Sequence, residues 1–427
     1  MKKWMIISIC AGLICGFSSY ASAGGVDNKQ NFSAAYAATG SRNAALEGGD
    51  IAAYNPAGLV HLENGTHVEV DGQFLYLDYD HEISGKDYGL TNLIKCPTTF
   101  ITHKKDKWAA YGTFTINGGG GDVEYKRGNS ITKGLGTAIA AGAFASSAGL
   151  APGGSLSDEY AYSKCCYYTL TAGGAYALND KLSLAGGLRY VITDKKVEIH
   201  GTYSTNNQYI LGKYAMDARG WGGVLSMNYR HSDELNLSLK YETIVKLDWD
   251  TAVDNDSGSV GKVILAANGR VDGQTYARDL PALLALGAEY KISPQLTLAP
   301  SFTYYFERDA DMGSQNAKVD KDSYDIGLAA RYQINEAWSA TLGYMYTDVG
   351  IDADDFGIIE KMNPPLDCHT LNLGGRYKMN EKWQFTMGLM ASFYVDDTAR
   401  ADAKGNPKTT YEKTVTTLAI GLNYTFL

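Results

Sequence analysis

Histidine is the side chain best suited to metal binding and to proton transfer near neutral pH. The seven in this chain stand apart, at His61, His67, His81, His103, His200, His231 and His369, with no metal-ligand spacing among them. No G-x-S-x-G turn presents a serine nucleophile, and Gly118 to Gly121 lacks the Lys-Ser/Thr that completes a phosphate loop. Asp254-Asn255-Asp256-Ser257-Gly258 opens like a calcium loop, but its twelfth position is Leu265, where such a loop needs a bidentate Glu. Cys165 and Cys166 are adjacent, so on a strand they point to opposite faces and cannot share one site. Cys96 and Cys368 complete the cysteines outside the first 23 residues; a bridge across neighbouring strands is open to them in an oxidising compartment, with a pairing that sequence does not give. These residues predict no metal, no cofactor and no enzymatic activity.

The elements that carry them begin with an export signal. Met1-Lys2-Lys3 is basic, Trp4 to Phe17 is apolar, and Ala21-Ser22-Ala23 is a cleavage pattern, so residues 1–23 read as a signal peptide. The formal net charge is −9, and it becomes more negative when Lys2 and Lys3 leave. An acidic exported chain is a poor nucleic-acid binder. No later apolar run is long enough for a membrane helix. Yet the chain has 31 Tyr and 48 Gly against 9 Pro, a composition that suits transmembrane strands with aromatic girdles and also a secreted soluble β-protein.

Periodicity separates the two. In Lys382–Val395 one face carries Trp383, Phe385, Met387, Leu389, Ala391, Phe393 and Val395, and the end of the chain alternates Leu418, Ile420, Leu422, Tyr424 and Phe426 with Ala419, Gly421, Asn423 and Thr425. Apolar residues at period two over ten or more positions need an apolar neighbour along their whole length, and lipid supplies it. Fourteen such strands are predicted: 66–79, 96–104, 107–117, 159–178, 181–200, 213–231, 235–249, 279–292, 295–309, 320–334, 337–349, 368–380, 382–396 and 412–427. Tight polar turns at Lys105-Asp106, Asn179-Asp180, Ser232-Asp233, Ser293-Pro294, Asn335-Glu336 and Glu381 alternate with long loops at 80–95, 118–158, 201–212, 250–278, 310–319, 350–367 and 397–411. That alternation is the pattern of a bacterial outer-membrane barrel, with short periplasmic turns and long external loops. A soluble sandwich or propeller would not need it, and no blade-length repeat is present.

Ala44 to Leu59, AALEGGDIAAYNPAGL, lies between the signal and the first strand, too polar to span a membrane and too small-sided to build a core of its own. Asn55 is pushed out of the helical region by Pro56, Pro56 has no N–H, and Gly58 permits a sharp turn. The segment reads as a plug, occupying residues 24–64 ahead of a barrel over 65–427. YNPAGL in this position resembles the N-terminal hatch of the FadL/OmpP1/TodX family of outer-membrane hydrophobe transporters. The resemblance implies an all-β, fourteen-stranded antiparallel transmembrane barrel with the hatch inside its lumen, a hydrophobic ligand such as a long-chain fatty acid or an aromatic hydrocarbon, capture at external loops, and sideways release through the wall. Asn55, Pro56, Ala57 and Gly58 carry the hatch motif. Leu427 follows the terminal Phe426 where the family commonly ends on an aromatic residue, and the acids upstream of the motif stand here as Glu47 and Asp50.

The face opposite the lipid stripe supplies candidate ligand contacts, mixing Arg189, Lys240, Arg331 and Arg376 with Leu75, Leu77, Tyr111, Leu283 and Met345. Such a wall fits a carboxylate head with an apolar tail, or equally a set of cross-lumen ion pairs with Glu242 and Glu289. Gly134–Leu150 is Ala-rich and weakly helical, and Leu135, Ile139, Phe144 and Leu150 are its capture candidates or the apolar side of a lid packed inward. A sixteen-carbon chain gains on the order of 10 kcal/mol by leaving water, at ~0.8 kcal/mol per methylene. A water-filled pore offers it nothing, so passage through the wall is favoured, and Gly72, Gly118, Gly119 and Gly120 are candidates for a weakened seam. Further expected partners are outer-membrane lipid, lipopolysaccharide facing the acidic loops at Asp352–Asp355 and Asp396-Asp397, and the barrel-assembly machinery, with the protein a monomer. A general diffusion porin, or a barrel lipase or protease, are the alternative functions.

Overall fold

Strands with one apolar and one mixed face satisfy their backbones in a bilayer only if the sheet closes on itself. The computed structural model describes residues 30–118, 121–311, 313, 319, 321–402 and 405–426, and in it the sheet closes. The signal segment lies outside the described residues.

The strand segments are β1 (Gly65–Ile83), β2 (Lys86–Asp87), β3 (Leu90–Lys105), β4 (Trp108–Ile116), β5 (Gly121–Tyr125), β6 (Leu156–Ala177), β7 (Leu182–Tyr203), β8 (Gln208–Arg230), β9 (Leu235–Glu242), β10 (Asp248–Val253), β11 (Thr275–Ala277), β12 (Ala282–Lys291), β13 (Leu296–Phe306), β14 (Ser323–Gln333), β15 (Trp338–Asp348), β16 (Cys368–Lys378), β17 (Trp383–Tyr394), β18 (Asp397–Ala399) and β19 (Thr409–Phe426). β2, β5, β10, β11 and β18 are short pieces toward the outer end. The others are the fourteen staves, each antiparallel to the next, and β19 returns to β1 from Thr66↔Phe426 to Glu82↔Thr410. The expected polar turns join the staves at one end. Near them Trp108, Tyr176, Tyr290, Tyr332 and Trp338 stand exposed as an aromatic girdle, and between the two ends Leu188, Leu225, Leu342 and Leu373 face outward as lipid-contacting residues.

Three sequence expectations need correction. The strand expected over 235–249 is two pieces, β9 and β10; between them Val245 and Leu247 turn inward and are fully buried. The loop expected over 250–278 holds a helix, Gly258–Ala267, besides most of β10 and all of β11. β1 and β3 also run well past the expected ends, because the wall stands above the apolar band on that side, so most of the loop expected at 80–95 is strand.

Residues 30–64 fill the lower lumen. α1 (Ala34–Thr39) starts on Ser33, whose Oγ accepts from Tyr36 N at 3.0 Å, and ends on Gly40 in the left-handed region, φ +63°. α2 (Ile51–Tyr54) leads through Asn55 into a 3₁₀ turn, Pro56–His61. Most of α1 is alanine, so its backbone lies against the wall with no long side chain between. The wall answers with inward glycines: a Cβ at Gly287 would come within 2.6 Å of Ala44 N, at Gly327 within 2.9 Å of Gly40 O, and at Gly388 within 2.5 Å of Ala34 O. Outside the membrane, α3 (Ser130–Ala140), α4 (Ala145–Ala148) and α5 (Gly258–Ala267) gather over the barrel mouth. Asn129 caps α3 by accepting from Ile131 N and Thr132 N.

Candidate functional site

Asn55 is fully buried, and its Nδ2 donates to Asn228 Oδ1 at 2.8 Å and to Ala45 O at 3.1 Å. Asn228 is in turn paired with Asn236, whose Nδ2 also donates to Ala44 O at 2.8 Å. Ala57 O accepts from Ser183 Oγ at 2.7 Å. Gly58 leaves no room for a side chain, since a Cβ there would stand 2.6 Å from Asn55 Nδ2. The hatch motif is therefore an uncharged clamp to β7, β8 and β9, with Pro56 holding the turn between its two halves.

A second, charged clamp holds the other side. Arg42 and Asp50 pair inside the hatch at 2.6 Å, and Ser33 Oγ donates to Asp50. Glu47 reaches Arg331 and Arg376 of the wall, and Arg331 also meets Glu289. Burial alone would raise the Glu47 carboxyl, but the guanidiniums of Arg331, Arg376 and Arg42 outweigh it and hold it at about 2. β1 adds Glu69, which accepts from Gly49 N, and Asp71, which accepts from Ala34 N at 3.0 Å.

These clamps engage most of the wall residues singled out as ligand contacts. Arg331 and Arg376 face Glu47. Lys240 donates to Ala53 O at 2.7 Å and to Glu242, which also takes Arg189 at 2.7 Å. Tyr111 packs on Ile51 and Leu59 of the hatch, Met345 on Tyr36, and Leu283 on Ala285 and Tyr305. Leu75 and Leu77 alone of that set line the apolar cluster above the hatch, with Val191, Val197, Trp249 and Leu265.

That cluster has a polar corner which sequence reasoning missed. Lys195, 3 % exposed, lies within electrostatic range of Arg270 and Arg278 and makes no hydrogen bond or ion pair among the described residues. Arg278 pairs with Glu360 at 2.9 Å. Arg270 lies 5.2 Å from the Tyr276 ring, and its buried Nε has no partner. Lys195 was within reach of the sequence, six positions after Arg189 and so on the same face of β7. Arg270 and Arg278 sit in the long irregular segment beside β11, where no period marks them.

Outward from this corner runs a groove of about 520 Å³ between α3 and α5, lined among others by Leu135, Phe144, Ile210, Ile264 and Leu265, with Arg270 at its inner end. Of the capture candidates, Leu135 and Phe144 face the groove. Ile139 and Leu150 are fully buried and pack the helices onto Tyr203 and Ile210.

On the other side the cluster meets a break in the wall. β4 stops at Ile116, opposite Tyr168, and β5 resumes at Gly121, opposite Cys165. Asn117 N and Gly118 O still bond to Tyr167, which keeps this side closed. Toward β3 the ladder among the described residues ends at Thr99↔Phe114, and beyond it Asn92 Nδ2 crosses to Asp122 O at 2.6 Å. Ile94, Cys96 and Ile116 beside it belong to the apolar cluster. Gly118, at φ +142°, sits at the break, while Gly119 and Gly120 lie outside the described residues. Gly72 is not at a weak seam: its ladders to Ile420 and Pro97 are continuous on both sides. Among the described residues no disulfide joins Cys96, Cys165, Cys166 and Cys368 to one another.

A search of curated protein sequences finds no match. Among solved structures, a Pseudomonas aeruginosa FadL homologue superposes with a TM-score of 0.71 at 13% identity, over 93% of this chain and 98% of that one. The P. putida toluene transporter TodX gives 0.67 at 14%, over 93% and 99%, and the Ralstonia pickettii toluene transporter TbuX 0.60 at 14%, over 94% and 100%. At these identities the likeness is one of fold. The sequence profile described as "Outer membrane protein transport protein (OMPP1/FadL/TodX)" matches residues 14–426, and the chain belongs to that family of outer-membrane β-barrel transporters of hydrophobic compounds.

Proposed function

We propose that this protein takes up amphipathic carboxylates of the long-chain fatty-acid type. The ligand lodges its tail in the groove between α3 and α5, passes Arg270 into the apolar cluster, and leaves sideways between β3 and β4 near Gly118, with the hatch blocking the straight route to the periplasm. The observation that carries the ligand class is Arg270 lining an apolar groove, with its buried Nε unpartnered among the described residues and with Lys195 and the Arg278–Glu360 pair within electrostatic range of one another. A neutral hydrocarbon would bring no counter-charge to Lys195, or to Arg270, which is held by Gly269 O and the Tyr214 and Tyr276 rings, whereas a carboxylate head supplies one. Continuity supports the route: Tyr214 and Leu265 belong to both the groove and the cluster, and Tyr167, in ring contact with Trp249, stands at the break.

The test compares two probes, palmitate and toluene, on the purified protein. Losing a hydrogen bond to a charged group costs ~1.5–3 kcal/mol, about ten- to a hundredfold in affinity. Lys195→Met and Arg270→Met should each weaken palmitate by that factor and leave toluene unchanged. Equal weakening of both probes, or of neither, contradicts the assignment, and toluene binding with no palmitate binding by the wild type would make the protein a channel for neutral aromatics.

A further inference from the structure

The outer surface of the barrel carries a second irregularity, far from the break beside Gly118. β12 pairs with β13 from Ala282↔Phe306 to Gly287↔Ser301 and again at Tyr290↔Leu298 and Lys291↔Thr297, but Ala288 and Glu289 have no ladder partner in Ala299 and Pro300. β12 remains fully paired to β9, and β13 to β14 through Pro300↔Leu328. Pro300 has no N–H to give to β12, which accounts for the lapse. On the lipid side a depression of about 600 Å³ lies over this seam. Its floor is backbone, at Gly287, Ser301 and Gly327, and its rim includes Leu286, Phe302, Ile326 and Leu328.

The wall here is one peptide layer thick. Directly inside stand Gly40, Asn43 and Ala44 of the hatch, and Asn43 Nδ2 donates to Leu286 O at 3.1 Å and to Phe302 O at 3.3 Å, joining the two strands across the seam. The seam lies between the Tyr290 and Tyr332 end of the apolar band and the aromatic contacts of Phe302, Tyr304 and Tyr324, so bilayer chains reach it and headgroups do not. The depression is continuous with the exposed apolar surface of Leu286, Ile326 and Leu328, and no charged side chain lines it. We propose that this depression is a seat for one acyl chain of an outer-membrane lipid, which covers the bare backbone of the β12–β13 seam from outside while Asn43 covers it from within. It is distinct from the transport path and does not depend on which ligand that path carries.

A phospholipid with a diazirine at mid-chain, reconstituted with the full-length protein and photolysed, reads the occupant directly. Crosslinks should concentrate at least fivefold on peptides from β12, β13 and β14 over those from other lipid-facing staves. Ala288→Phe, which fills the depression from its floor, should remove that excess while the barrel keeps its heat-modifiable migration. Label spread evenly around the barrel overturns the seat, as does an excess unchanged in Ala288→Phe. Label absent from β12–β14, with the protein dimeric by native mass spectrometry, would assign the face to a second copy instead and overturn the lipid occupant. The wild-type distribution decides even if the variant fails to assemble.

Discussion

At the scale of single residues, Glu47 ties the hatch to the wall through charge, and Asn55 does so without it. Because the Glu47 carboxyl titrates at about 2 in the docked hatch and at the ordinary carboxylate value when free, its contribution is complete above about 4.5 and is lost as pH falls toward 2. Planar-bilayer conductance should therefore stay low and flat from pH 7 to 5 and rise only below about 4. Glu47→Gln should raise the conductance at pH 7 and flatten the acid rise; an unchanged trace would free Glu47 of any role in holding the hatch. Asn55→Ala removes the bonds to Asn228 and Ala45, at ~1 kcal/mol or more each for buried partners left unpaired, and should raise leak independently of pH. The turn at Asn55 was legible from its place before Pro56, but its bonds to Asn228 and Ala45 were not. That of Arg331 and Arg376 was not: parity puts them in the lumen, but nothing in a linear pattern tells a ligand contact from a hatch contact, because the deciding partner, Glu47, is hundreds of residues away.

At the scale of elements, α1 docks because alanine meets glycine across the wall. Gly388→Val would drive a side chain into the backbone of α1 between Ala34 and Ala38, and no rotamer avoids a clash that begins at Cβ. The barrel should still assemble, since β16, β17 and β19 keep their ladders, while proteolysis within residues 30–64 and uptake of large hydrophilic antibiotics should both increase. Resistance of the segment equal to wild type would mean that α1 does not need the glycines. The staves were legible because each repeats one simple period. The break after Ile116 was not, since a strand that stops bonding to one neighbour keeps the same alternation and the lost register shows only in the paired strands, β3 and β6; after Glu242 the inward set shifts from even to odd positions, Lys240 and Glu242 giving way to Val245, Leu247 and Trp249, a change of parity that a single strand over 235–249 overlooks.

For the whole molecule, an external groove and an apolar cluster with a cationic corner lie above a hatch clamped on two sides, beside the end of the β3–β4 ladder. The barrel was foreseeable from the period-two apolar faces together with the alternation of short and long connections, the pattern of strands that cross a membrane in turn. The proposed route was not, because it would be made of Arg270, Arg278 and α5 from one long loop, α3 from another, and a break in β4, none of which carries a period. The central claim is that ligand leaves through the wall, and reversible closure of the opening tests it most directly. Thr98 and Thr115 are next in register after Thr99↔Phe114, so Thr98→Cys with Thr115→Cys, in a background with Cys96 and Cys165 changed to Ser, can bridge the two edges. Uptake of labelled palmitate by cells should fall to background when the pair is oxidised and recover on reduction, with the single-cysteine variants unaffected. Undiminished uptake by the oxidised, bridged barrel would contradict the account.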